Sequence, residues 1–149
     1  MSDEPVYAFP STPFEVRFAD LDASGHLNHA SVLVYLEQAR VRYYRDVAGV
    51  EIPSGLPAWA LVRIEVNYHA PAYFGDRLLL DVRVPWMRGS SAGWEFRLVS
   101  EDGERRIADG TGTHVHLDVD SGRASPLPDD VRQRIADLEG IPLRSDGSS

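Results

Sequence analysis

Residues 19–49 read ADLDASGHLNHASVLVYLEQARVRYYRDVAG, and their reading decides the fold. Two acids, Asp20 and Asp22, lead into a small-residue turn on Gly25, after which Asn28 stands where a helix N-cap belongs. Its side-chain oxygen can accept an early helix N–H. A helix is expected from about His29 to Val47, with no Pro or Gly inside it. Val32, Leu36, Ala39, Tyr43 and Val47 recur at steps of three and four and make one apolar stripe, widened by Leu33 and Tyr35. Gln38, Arg42 and Arg45 fall on the wetter side. Gly49 is the natural stop, and EIPSGLP at 51–57 cannot continue a helix.

Working outward, Phe14, Val16 and Phe18 alternate with Glu15 and Arg17, the pattern of a half-buried strand over Phe14 to Phe18. Downstream, Ala58 to Ala70 sets Ala60, Val62, Ile64, Val66 and Tyr68 against Leu61, Arg63, Glu65, Asn67 and His69. Further strands are expected at Arg77 to Met87, Ala92 to Ser100 and Arg105 to Val119, with turns at Gly75-Asp76 and Glu101-Asp102-Gly103. A short helix follows from about Asp129 to Leu138. Sequential strands with tight turns make an antiparallel sheet, and one long apolar-faced helix suits one face of it. The fold class is α+β. Residues 1–13 are expected as a loosely held lead-in, 14–140 as a single domain and 141–149 as a disordered tail. Trp86, Trp94, Val99, Leu79 and Leu61 offer more apolar surface than one helix covers, so an apolar second sheet face and a homo-oligomer are expected.

The totals narrow the function. Among 149 residues there is no cysteine, which removes disulfide frameworks, thiolate catalysis and Cys-based zinc sites. The net charge of −8 argues against a general nucleic-acid surface. All 15 basic residues are Arg, so anion contacts are of the forked kind and no lysine can serve as a base. The acidic, proline-broken start lacks an apolar leader, and no segment approaches a membrane span. A soluble, cytoplasmic protein is expected, without nucleic-acid or membrane partners.

Asp20, Asp22, Ser24 and Gly25 imitate the opening of a calcium loop, but its twelfth position is Ser31 rather than a bidentate acid, and the preceding segment reads as a strand. His114, His116 and Asp118 alternate on a strand, a spacing more usual for an interface or solvent face than for a metal, so no metal is expected. A carboxylate beside a helix start has another use. It can activate water or attack a carbonyl while backbone N–H groups near His29 and Ala30 hold the oxyanion. No G-x-S-x-G elbow is present. The tryptophans and the Tyr43-Tyr44 pair can line an acyl pocket, and core packing explains them as well.

The run VRFADLDASGHLNHASVLVYLEQAR resembles the signature of hotdog-fold acyl-CoA thioesterases of the 4-hydroxybenzoyl-CoA thioesterase type. NYHAPAYFGD, MRGSS and ASPLPDDVRQRI continue the likeness over roughly residues 14–135. The resemblance implies a hotdog fold, a five-stranded antiparallel sheet wrapped around one long central helix, assembled as homodimers or homotetramers with sites at the subunit interface. It implies hydrolysis of an acyl-CoA to a carboxylic acid and CoA, with no cofactor beyond the CoA of the substrate. The family's catalytic aspartate falls on Asp22 and its carbonyl-polarising N–H on His29, with His26 and Asn28 beside them. Arg88, Ser90 and Ser91 match positions near the CoA phosphates. Ser24 stands where related acyl-carrier thioesterases have Asn. Enoyl-CoA hydratase chemistry and a non-catalytic acyl-CoA binding module are the alternatives on the same fold.

Overall fold

The computed structural model describes residues 4–50 and 58–143. The link at 51–57 and the tail at 144–149 lie outside the described residues. The elements run β1 (Thr12–Glu15), a 3-10 turn (Phe18–Asp20), α1 (His29–Ala48), β2 (Ala58–Tyr68), β3 (Arg77–Arg83), β4 (Met87–Arg88), β5 (Ser91–Ser100), β6 (Arg106–Leu117) and α2 (Asp129–Glu139). The strands form one antiparallel sheet in the order β1-β3-β5-β6-β2, with the two-residue β4 paired to the start of β5. This is the expected α+β architecture, one sheet around one long helix.

The helix forms as its pattern requires. Asn28 Oδ1 accepts the Ala30 N–H at 2.9 Å, and Gly49 ends the helix in the left-handed region at φ 69°, where a side chain would be strained. Val32, Tyr35, Leu36, Ala39 and Tyr43 are buried against Leu78, Leu80 and Val82 of β3 and Trp94, Phe96 and Leu98 of β5. Each such side chain taken from water contributes about 1.5–3 kcal/mol. On one flank α2 completes the core, where Glu139 accepts the Tyr43 hydroxyl at 2.7 Å and the Val84 N–H at 3.2 Å. The other flank, beside β2, carries no further element among the described residues, and Leu33 is exposed there.

Five expectations need correction. The first strand stops at Glu15, because Asp20 draws both the backbone N–H and the guanidinium of Arg17 into a turn that leaves Phe18 exposed. The Arg77 to Met87 strand is broken, with Pro85 between β3 and β4. In β2 a bulge between Leu61 and Arg63 takes Val62 out of register. Trp59 and Leu61 therefore face His116 and His114 on the helix side, which a strict alternation assigns to the opposite set.

The fourth concerns the outer sheet face, which is not apolar. Trp94 is 1% exposed beneath the helix. The outer face instead pairs Arg97 with Asp81 at 2.8 Å and Arg83 with Glu95 at 2.6 Å. Nor is the lead-in loose where it is described. Glu4 bridges Arg97 and Arg106, Phe9 is buried 5.0 Å from the Tyr43 ring, and Arg42 holds the Pro10 and Ser11 carbonyls and the Thr12 hydroxyl. Ser11 donates to Asp81.

Candidate active site

Asp22 stands in the turn between β1 and α1. Its Oδ1 accepts the Ser24 N–H at 2.8 Å and the His26 N–H at 3.1 Å, while the Asp22 N–H donates to the His26 carbonyl at 2.8 Å. These bonds fix the carboxylate, and Oδ2 makes no hydrogen bond among the described residues, facing solvent. Asp22 is thus both a turn acid and a free oxygen, held in place by the residues at Ser24 and His26. The imidazole of His26 packs edge-on to Tyr73, with centroids 5.3 Å apart, and takes no part in binding Asp22.

Asp20 does different work. It is 4% exposed, accepts two guanidinium bonds and one backbone bond from Arg17, and receives the Tyr35 hydroxyl at 2.6 Å. The Arg17 hydrogen bonds hold its carboxyl down to about 2 despite burial. Its carbonyl accepts the Asn28 N–H at 2.8 Å, so this acid ties the loop to the helix start.

At the start of α1, the Asn28 side chain occupies the Ala30 N–H and the Asn28 carbonyl takes the Ser31 N–H at 2.9 Å. The His29 N–H makes no hydrogen bond among the described residues, leaving one donor at the positive end of the helix dipole. Asn28 is the N-cap of α1. Tyr68 donates to the His29 carbonyl at 2.9 Å and lies edge-on to its ring, so β2 fixes this turn.

Arg88, Ser90 and Ser91 lie together at the β4–β5 hairpin, and Arg88 sits 5.1 Å above the Trp86 ring. They do not meet Asp22 within the chain. Ser91 pairs with Val115, which pairs with Ala60, whereas the His29 turn is tied to Tyr68, eight residues further along β2. At 3.2–3.4 Å per residue the two groups stand about 25 Å apart along the sheet. His114 and His116 also diverge. His114 is buried without a hydrogen bond among the described residues, and His116 Nδ1 lies 3.1 Å from the Ser125 carbonyl. No metal-holding cluster exists among the described residues.

Sequence reading missed two positioning groups. Tyr35, assigned only to the apolar stripe, carries the hydroxyl that braces Asp20. Arg132, in a segment read only as a short helix, is buried and donates to the Gly89 carbonyl at 2.7 Å, clamping the Arg88 hairpin. An arginine on the apolar face of a short helix was the available signal.

One antiparallel sheet around one long helix is the hotdog architecture of the thioesterases. The sequence matches the Thioesterase-like superfamily over residues 16–135, and the chain belongs to that family. It is 32% identical over 124 residues to a 1,4-dihydroxy-2-naphthoyl-CoA hydrolase of Synechococcus sp. (strain CC9605), covering 78% of this chain and 82% of that one. It is 26% identical to the long-chain acyl-CoA thioesterase FadM of Escherichia coli (strain K12), covering 85% and 97%. A thioesterase from Thermus thermophilus, solved with coenzyme A and Zn, shares 37% identity at a TM-score of 0.78, covering 92% and 98%. No helix among the described residues is long and apolar enough to cross a membrane.

Proposed function

We propose that this chain hydrolyses acyl-CoA thioesters with Asp22 as general base or nucleophile and the His29 N–H as oxyanion donor. The observation that carries the reading is the free Oδ2 of Asp22 in the same short turn as the unpartnered His29 amide. As base, Asp22 takes a proton from water while the new C–O bond forms. The C–S bond then breaks, and the proton passes to the departing CoA thiolate. As nucleophile, Asp22 first forms an anhydride that water opens, with the same products. Neither route needs a metal or prosthetic group. Ser24 and His26 position Asp22 through their amides, and Asn28 shapes the helix start. The reaction is assigned to the cytoplasm.

The working unit is a homodimer. Arg88, Ser90 and Ser91 are the proposed contacts for the CoA phosphates, and they lie about 25 Å from Asp22 within one chain. The edge strand β2 is eleven residues long, with Leu61 and Val62 50% and 58% exposed. Such an edge seeks a partner strand. Arg63 and Glu65 alternate in sign along it, so an antiparallel pairing about Ile64 can set Arg63 against the partner's Glu65. That two-fold brings the Tyr68 end of one protomer to the Trp59 end of the other, uniting Asp22 with the second copy's Arg88 hairpin.

Thiol release from a panel of acyl-CoAs by the wild type, Asp22→Asn and Asp22→Ala tests the reading. Turnover by the wild type, with a loss of about 10²–10⁴-fold in both variants, is expected. Full-rate variants would remove Asp22 from the reaction. Hydration of crotonyl-CoA without CoA release would reassign the chain as a hydratase, and tight binding with no turnover as a binding module. Label from ¹⁸O-water entering Asp22 in a single turnover marks the nucleophilic route.

A further inference from the structure

Beneath the second half of α1, where the helix crosses β2, β6 and β5, polar atoms converge that the fold leaves unused. Arg40 Nε, the Tyr44 hydroxyl, the Trp59 and Trp94 indole N–H groups and both His114 ring nitrogens are shielded from solvent and hydrogen-bonded to nothing among the described residues. The groups form one cluster. Tyr44 stacks on Trp59 at 5.2 Å and lies edge-on to Trp94 at 5.3 Å. His114, 2% exposed, is edge-on to both indoles, and the Arg40 guanidinium sits 5.5 Å above the Trp94 ring. The Trp94 N–H acts on the Tyr44 oxygen, yet the pair does not close a hydrogen bond.

Such a concentration of unpaired polar groups is costly in a folded core and calls for an explanation. The chemistry of the set is one-sided. Arginine and the indoles are donors only, and tyrosine and neutral histidine can donate as well. Burial and the nearby Arg40 charge hold His114 down to about 3, so it stays neutral at working pH. Arg40 has no ion pair among the described residues. Glu37, one turn earlier, acts on it at longer range without a hydrogen bond. The Arg40 guanidinium, half-buried with its Nε shielded and without an ion pair among the described residues, suits a carboxylate, whose two oxygens match its fork. The surrounding rings favour a flat or slim apolar body leading up to that carboxylate. The cluster lies at the Arg88 end of the sheet, where Ser91 pairs with Val115 and half-exposed Leu61 pairs with His114. In the proposed dimer this is the end that meets the partner's Asp22.

Resting on the thioesterase reading, we propose that Arg40, Tyr44, Trp59, Trp94 and His114 form the far end of the acyl pocket and select acyl-CoAs whose acyl group ends in a carboxylate.

Matched substrate pairs test this: adipoyl- against hexanoyl-CoA, suberoyl- against octanoyl-CoA, and 4-carboxybenzoyl- against 4-methylbenzoyl-CoA. The carboxylated member of at least one pair should have a kcat/KM at least tenfold higher in the wild type. Arg40→Met keeps an aliphatic stem over Trp94 and should erase that ratio while the uncharged member is still hydrolysed, and Arg40→Lys should restore part of it. The same esters titrated calorimetrically into Asp22→Asn separate binding from turnover. If nothing is hydrolysed but carboxylated esters bind more tightly in an Arg40-dependent way, the thioesterase reading fails and the pocket stands. Hydrolysis with no preference in any pair, or a ratio unchanged in Arg40→Met, would overturn the pocket and leave the thioesterase reading intact.

Discussion

The hydroxyl of Tyr35 donates a 2.6 Å hydrogen bond to Oδ2 of Asp20, joining the second turn of α1 to the loop that carries Asp22. Asp20 in turn binds Arg17 and, through its carbonyl, the Asn28 N–H. Asp20 therefore fixes both ends of the segment that holds Asp22.

Tyr35→Phe should cost about 1.5–3 kcal/mol, the range for a hydrogen bond to a charged group. Urea melts measure it. A loss in kcat/KM larger than any loss in stability would show that the brace also positions Asp22. The folded-state pKa of Asp20 is depressed to about 2 from its ordinary 3.8, chiefly by Arg17. Its contribution is present in full above the unfolded value and disappears as pH falls through the folded one. Wild-type stability should therefore decline between about pH 4 and pH 2, and Asp20→Asn should show a shallower decline.

Gly110 sits on β6 where its backbone presses against β2. A Cβ there would stand 2.0 Å from the Glu65 carbonyl oxygen and 2.8 Å from the Phe96 ring. The first contact is with paired backbone, which cannot swing aside. Gly110→Ala should destabilise by at least the 1–3 kcal/mol of an overpacked core, read as a fall in Tm. Gly89→Ala, with nothing within 4 Å of its Cβ, is the control and should change Tm little.

Light scattering should give a dimer for the wild type. Val62→Asp puts a new charge near the middle of β2, on the edge the proposed pairing about Ile64 would bury. It should yield a folded monomer, by circular dichroism, with hydrolysis lost. A wild-type monomer with full activity would reject the dimeric site.

Much of this was legible in the chain. Asn28, the uninterrupted stripe from Val32 to Val47 and Gly49 specify α1 through local rules alone, and the helix begins at His29 as expected. The turns at Gly75 and Gly103 fixed where strands reverse. Asp22, His26, Asn28 and His29 are neighbours in sequence, so their shared corner needed no long-range information. What escaped the sequence depended on a partner elsewhere. The Leu61/Arg63 bulge reverses which side of β2 faces the helix, and no residue in β2 announces it. Trp94 and Val99 read alike as apolar strand residues, yet register sends Trp94 into the core while Val99 stays on the outer face with Leu79.

By itself the sequence determined the helix, its caps, the order of strands and the acid beside the helix start, because each follows from residues within a few positions of one another. Only the tertiary structure decided that, among the described residues, the His29 N–H is left without a partner and Arg40 stands half-buried over the Trp94 ring without a counter-ion. It alone set Asp22 and Arg88 at opposite ends of one sheet. Those relations are set by register and packing between segments far apart in the chain, where each group's partners come from another element.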